Sequence, residues 1–316
     1  MVMSFPVDDL ANRAGVPAAH SAARGAMFLS LAILGWGLTW PINKALLDSL
    51  SPPWLAVMRS AIGTAALLAI AVPGARLVVP PREDWPVVAS IALLHMVGFS
   101  LLAAIGLQYV PVGRSVVLAY TTPLWVMPAA ALLLGERLTL RRLAGVAAGL
   151  LGLGLLFNPG ALDWNDRASL LGHGLLLVAA LCWAASIVHI RAHAWRSTPF
   201  QLVPWEALLA TVILGAIALA SGPWLAVQWD ARLVLLLIGT SVLGVALPYW
   251  AVAMAGRNLP AIGVSLGLLG TPIVGILVAN LALGEAPDAL AWIALACVLG
   301  GAALGIVDER PGRRAS

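Results

Sequence analysis

The chain has 316 residues, of which 61% are hydrophobic and 10% charged, and its mean hydropathy is +0.96. A water-soluble domain carries about 25% charged residues, so this composition excludes an ordinary soluble enzyme and makes lipid the solvent for most of the surface. The net charge of +4 is spread along the chain in a way that reports membrane orientation, not a polyanionic partner.

The first 25 residues hold Asp8, Asp9, Arg13 and Arg24 among Ala, Ser and Pro. They lack the short apolar core and cleavage site of a secretory signal and read as a disordered cytoplasmic tail. Ten apolar segments follow, at 26–48, 52–72, 86–108, 112–134, 140–157, 170–191, 199–220, 232–256, 259–283 and 287–307. Each is near the roughly 20 residues that a spanning helix needs. They are continuous Leu/Ala/Gly-rich runs, unlike the alternating runs of about ten residues in a membrane barrel. The expected fold class is all-α integral membrane, with ten transmembrane helices and no soluble domain between them.

In the first span Trp36, Trp40, Asn43 and Lys44 fall at i, i+4, i+7 and i+8, on one helical face. That aromatic and polar stripe is a candidate cavity wall. The rival reading has Lys44, the sole lysine, snorkelling to the outer interface with the tryptophans as an interfacial belt. Arg59 lies about a third of the way into the second span and Glu206 at a matching place in the seventh. A charge at that depth is costly and faces a cavity or a partner. The two either pair, across the molecule or locally, or stand unpaired, in which case Glu206 is the candidate proton-titrating group. His95 and Phe99 share a face of the third span, where His95 is a candidate proton relay or simply packing.

Tyr120 precedes Pro123 in the fourth span, Trp183 sits in the sixth, and Tyr249 and Trp250 follow Pro248 in the eighth. These aromatics are candidate substrate contacts, with ordinary packing as the rival. Pro123, Pro248 and Pro272, like Pro41 and Pro128, are expected to kink their helices. An interior proline frees a carbonyl, which membranes tolerate only beside protein or a wet cavity. Cys182 and Cys297 lie inside spans, lack metal-ligand spacing and offer no disulfide framework. Neither a metal site nor a cofactor is expected.

Placing the N-terminus inside puts thirteen arginines on the cytoplasmic side of the alternating connections and three on the other. By the positive-inside rule both termini are cytoplasmic. The halves also repeat. Val110-Pro111, Thr122-Pro123 and Gly135-Glu136 recur 149 residues later as Leu259-Pro260, Thr271-Pro272 and Gly284-Glu285. Trp36, Lys44 and Pro52 match Trp183, Arg191 and Pro199 at an offset of 147. An odd number of spans per repeat inverts the second copy, the arrangement of secondary transporters with a midplane site. Glu136 and Glu285, matched in the repeat, are expected to accept backbone N–H groups at the start of the next helix. Gly145-x-x-x-Gly149 and Gly301-x-x-x-Gly305 are expected to pack helices within the monomer.

The Gly35-Trp36-Gly37…Lys44 stretch resembles the EamA-type repeat of the drug/metabolite transporter superfamily. So does Pro111…Thr122-Pro123…Leu134-Gly135-Glu136-Arg137-Leu138-Thr139, which runs into the Gly-rich fifth span. The resemblance covers about residues 26–307 and divides the chain into repeats at 26–157 and 170–307, between tails at 1–25 and 308–316. It implies a ten-helix fold, a central cavity and export of small metabolites such as amino acids.

The function expected is therefore a secondary transporter exporting amino acids or related compounds by alternating access. Multidrug or cationic-compound efflux is the alternative, and a non-transporting receptor or scaffold a remote one. An enzyme is not expected: Gly263-Val264-Ser265-Leu266-Gly267 fits a nucleophile-elbow string, but no His or acid partner accompanies it. No nucleotide-binding loop is present. The expected partners are a small-molecule substrate, the lipid bilayer and a proton as coupling ion, without nucleic acid, in a monomer or homodimer. The location expected is the bacterial cytoplasmic (inner) membrane.

Overall fold

The structure, a computed structural model, describes residues 18–71, 78–136, 139–157, 166–222, 227–259 and 261–307. Tail residues 1–17 and 308–316, together with Arg137, Leu138 and Pro260, lie outside them. The regular structure among the described residues is all helical, without a strand. The first half holds α1 (Ala18–Leu46), α2 (Pro52–Ala71), α3 (Trp85–Ser90), α4 (Ser100–Tyr109), α5 (Val112–Ala119), α6 (Thr122–Leu134) and α7 (Leu140–Phe157). The second holds α8 (Arg167–Ala192), α9 (Pro199–Ala220), α10 (Ala231–Ser241), α11 (Leu247–Gly256), α12 (Ala261–Leu268), α13 (Thr271–Leu283) and α14 (Ala289–Val307). Among the described residues six stretches are long and apolar enough to cross a membrane, the longest being Arg82–Tyr109; Thr271–Leu283 and Ala289–Leu304 are shorter apolar helices. The surface suits lipid: Leu132, Leu140 and Leu281 are each at least 84% exposed, an arrangement that water would penalise.

The helices depart from those expected in three places. α1 begins at Ala18, ahead of residue 26. At Pro123 and Pro272 the helix is interrupted by a two-residue turn, with each proline in the first turn of the helix that follows, α6 or α13. Proline costs least there, because a first-turn N–H has no intrahelical partner. At the first break the carbonyls left over are met by hydroxyls: Thr121 Oγ1 donates to Leu118 O (2.6 Å) and Thr122 Oγ1 to Ala119 O (2.8 Å). Third, wide π-helical turns occupy Ile91–Phe99, between α3 and α4, and Val242–Ala246, between α10 and α11.

Small residues set the closest approaches. α7 packs on α14 so tightly that a Cβ on Gly145 would lie 2.5 Å from Gly301 O, and one on Gly152 2.7 Å from Ala294 O. The centre of the molecule is α5, where Val112 and Val116 to Ala119 are fully buried against Leu176, Ala179, Ile276 and Ala294. α6 and α13 both end on a left-handed glycine, Gly135 (φ 68°) and Gly284 (φ 70°), the usual residue for that cap.

Candidate functional site

Five of the expected side chains meet in an aromatic box. The π turn carries His95 and Phe99 to α8, where the His95 ring lies parallel to Trp183 at 5.2 Å (5° between planes). Phe99 is 5.1 Å from Trp183 and tilted. Tyr120, at the α5–α6 break, stands edge-on to Trp183 at 5.9 Å, and Trp40 edge-on to Phe99 at 6.5 Å. Such pairs contribute about 0.5–1.5 kcal/mol each beyond area burial. The box draws on α1, the first π turn, the broken fourth segment and α8, so only the packed bundle assembles it.

A second group lies between α1, α2, α9 and α11. Trp36 stands edge-on to Tyr249 at 5.8 Å, and its Nε1 donates to Gly244 O at 3.1 Å. Pro248 has no N–H to offer the turn before it, and the indole serves a carbonyl of that turn. A Cβ on Gly244 would lie 3.0 Å from Arg59 Nη2, so the guanidinium rests against bare backbone. Glu206 is 3% exposed, and Val203 and Ala207 on either side of it cluster with Ala246, three residues before Tyr249. Among the described residues Arg59 and Glu206 form no ion pair, with each other or elsewhere. Arg59 Nε is buried without a hydrogen bond.

The remaining candidates lie apart. Asn43 Oδ1 accepts from Thr240 Oγ1 at 2.7 Å. Lys44 Nζ donates to Leu107 O at 2.6 Å and Gln108 O at 3.4 Å, capping the carbonyl end of α4. With Leu47, Asp48 and Gln108 it lines a cleft of about 230 Å³. Trp250 packs edge-on to Phe28 at 5.1 Å. The expectation of one shared role for Glu136 and Glu285 is corrected. Glu285 Oε2 accepts from the Val112 backbone N–H at 2.6 Å, across the molecule at the start of α5. Glu136 pairs with Arg142 at 3.0 Å and Arg191 at 2.6 Å.

The sequence profile of the EamA-like transporter family matches residues 23–158 and again 170–307. The chain belongs to that family. It is a multi-pass membrane protein, and its family and relatives are named as transporters, not as enzymes. It is 29% identical to the uncharacterized transporter YvbV of Bacillus subtilis (strain 168) over 192 residues, 60% of this chain and 61% of that one. It is 28% identical to a probable terminal-alkyne amino-acid exporter of Streptantibioticus cattleyicolor over 309 residues, 90% of this chain and 94% of the other. A probable amino-acid metabolite efflux pump of Escherichia coli (strain K12) is 25% identical over 186 residues, 58% of this chain and 59% of the pump. The chain spans about three fifths of the length of the two Bacillus subtilis transporters it matches first. A solved crystal structure shares the fold with a TM-score of 0.62 at 23% identity, covering 90% of this chain and 96% of that one.

Two polar features of this transporter escaped sequence reasoning. Thr211 Oγ1 shares hydrogen bonds with Ser60 Oγ (2.7 Å) and Thr64 Oγ1 (3.0 Å), joining α2 to α9. Thr64 and Thr211 are 147 apart, so the repeat offset contained the signal. Asp84, fully buried at the head of α3, accepts from His193 Nε2 (2.9 Å), Arg196 N (3.2 Å) and Ser197 N (2.8 Å). No spacing rule links residues 109 to 113 apart, and only packing reveals that knot.

Proposed function

We propose that the protein is a secondary exporter of amino acids or related small metabolites, working by alternating access. Its ten spans form two inverted five-helix repeats, 26–157 and 170–307, with both termini cytoplasmic. The observation that carries this reading is the way contacts exchange under the repeat offset. Adding 149 to Gly145 and Gly152 gives Ala294 and Gly301, so the Gly145–Gly301 contact becomes the Gly152–Ala294 contact. Thr64 and Thr211, equivalent at 147, bond to each other. The π turns end at Phe99 and Ala246, again 147 apart. Contacts that map onto one another are what a two-fold axis between halves produces, and such an axis makes inward-open and outward-open states near-equal in energy.

The cargo class draws support from two of the named relatives, the probable terminal-alkyne amino-acid exporter and the probable amino-acid metabolite efflux pump. The cargo site we propose is the aromatic box with Trp36, Arg59, Glu206 and Tyr249. The bland reading of the rings is packing alone. Cationic-compound efflux is the second reading, favoured by the unpaired Glu206 beside aromatic faces that attract cations. Uptake into liposomes reconstituted with the purified protein tests both, using a panel of labelled amino acids and lipophilic cations with and without a pH gradient. Saturable amino-acid flux is expected, and flux of the cations alone would replace this reading with the second. Acceleration by an imposed gradient would mark a proton as coupling ion.

A further inference from the structure

We infer that Arg59 and Glu206 together hold the two charges of a single zwitterionic cargo, Arg59 its carboxylate and Glu206 its ammonium, with the cargo side chain against Trp36 and Tyr249. The inference rests on the exporter reading above and names the parts of its site.

The register of α2 against α9 sets the separation. Trp54 Nε1 donates to Gly222 O at 3.0 Å, Thr64 meets Thr211, and Leu67 packs with Val203 and Ala207. Early residues of one helix thus meet late residues of the other, and the helices are antiparallel. Glu206 stands level with the neighbourhood of Leu67, which places Arg59 and Glu206 about 12 Å apart along the axis at 1.5 Å per residue. Neither side chain closes that interval, since no ion pair joins them. Val203 and Ala207, on either side of Glu206, cluster with Ala246, two residues past the Gly244 that abuts Arg59, so both side chains flank the same stretch of the second π turn.

Charge balance then selects the ligand. Two opposite charges left unpaired at this depth are costly, and each is relieved by a group of the other sign, the carboxylate also by a proton. A cation bound at Glu206 leaves Arg59 uncompensated and adds a like charge beside it. An anion at Arg59 does the same to Glu206. A zwitterion satisfies both and brings no net charge. The guanidinium fork suits a carboxylate, which it binds through two parallel hydrogen bonds. The apolar share of the site lies on the Arg59 side, because Gly244 both abuts Arg59 and binds Trp36. The cargo is accordingly an amino acid with an apolar or aromatic side chain.

The test uses the full-length protein in liposomes. The best-transported of L-leucine, L-phenylalanine and L-tryptophan is compared with its N-acetyl derivative, which lacks the ammonium, and its amide, which lacks the carboxylate. The unaltered protein should prefer the zwitterion to either analogue by at least about thirtyfold in uptake kcat/KM, the scale set by loss of one buried, hydrogen-bonded charge pair. Glu206→Gln should erase discrimination against the N-acetyl compound while keeping that against the amide. Arg59→Gln should do the reverse. Equal uptake of all three compounds by the unaltered protein overturns the inference whether or not the variants fold. Variants that elute as single species yet lose all three compounds by one common factor overturn it too. Saturable amino-acid uptake with either result leaves the exporter reading standing, whereas no saturable uptake of any amino acid removes both.

Discussion

Trp36 was legible in the sequence as a member of a polar stripe, but its task depends on a residue more than two hundred positions away. Its indole N–H meets Gly244 O in the turn that Pro248 cannot serve. Trp36→Phe keeps the ring and removes the donor. The carbonyl is then left unsatisfied in an apolar setting, at a cost of about 1–3 kcal/mol, which should appear as a lower unfolding temperature in detergent. Gly244 itself leaves room for Arg59. A methyl there would sit 3.0 Å from Arg59 Nη2 and 3.1 Å from Thr39 Cγ2, tighter than ordinary contact, so one of them must give. Gly244→Ala is expected to raise the KM of carboxylate-bearing cargo several-fold while stability changes little; an unchanged KM would detach Gly244 from the site. Lys44 shows the opposite limit. Spacing put it on the face of Trp36, Trp40 and Asn43, yet α1 ends so close to α4 that its ammonium caps carbonyls there.

At the scale of the element, hydropathy located the apolar segments well and their interruptions poorly. The segments expected at 112–134 and 259–283 read as single helices with interior prolines. Each is two helices, because Thr121 and Thr122, or Gly270 and Thr271, precede a proline that serves better as a first-turn residue. Nothing in apolar periodicity separates a kinked helix from a broken one. The π turns were also hidden, since an extra residue per turn changes no composition. The small-residue runs were readable as packing motifs, but their pairing of α7 with α14 was not. There a Cβ on Gly301 would collide with the Gly145 carbonyl. Gly301→Val is expected to destabilise the protein by about 1–3 kcal/mol or more through overpacking, seen as a reduced monodisperse fraction on size-exclusion chromatography. A neutral result would mean that the two helices separate readily.

Across the whole molecule, alternating access requires that equivalent contacts be made unequally in one state. Glu285 holds the Val112 N–H at the start of α5. The glutamate equivalent to Glu285 is Glu136, and here it is held by Arg142 and Arg191. If the halves exchange roles, the Glu285 tie breaks when its counterpart forms. Glu285→Gln should therefore weaken the tie seen here and broaden the distance between spin labels at Gly113 and Ala286, read by pulsed electron resonance. A distribution unchanged from that of the unaltered protein would assign Glu285 a static capping role.

The sequence alone determined that this chain lives in lipid, that it repeats, and that its charges are unevenly distributed between the alternating connections. These follow from composition and from residues a fixed interval apart, and neither depends on which helix touches which. Tertiary structure decided which rings meet, that Arg59 and Glu206 stand unpaired, and that one of two equivalent glutamates caps a helix while the other binds arginines. Those outcomes rest on side-chain distances across the bundle, and helices whose packing faces are uniformly apolar carry little record of their neighbours in the order of their residues.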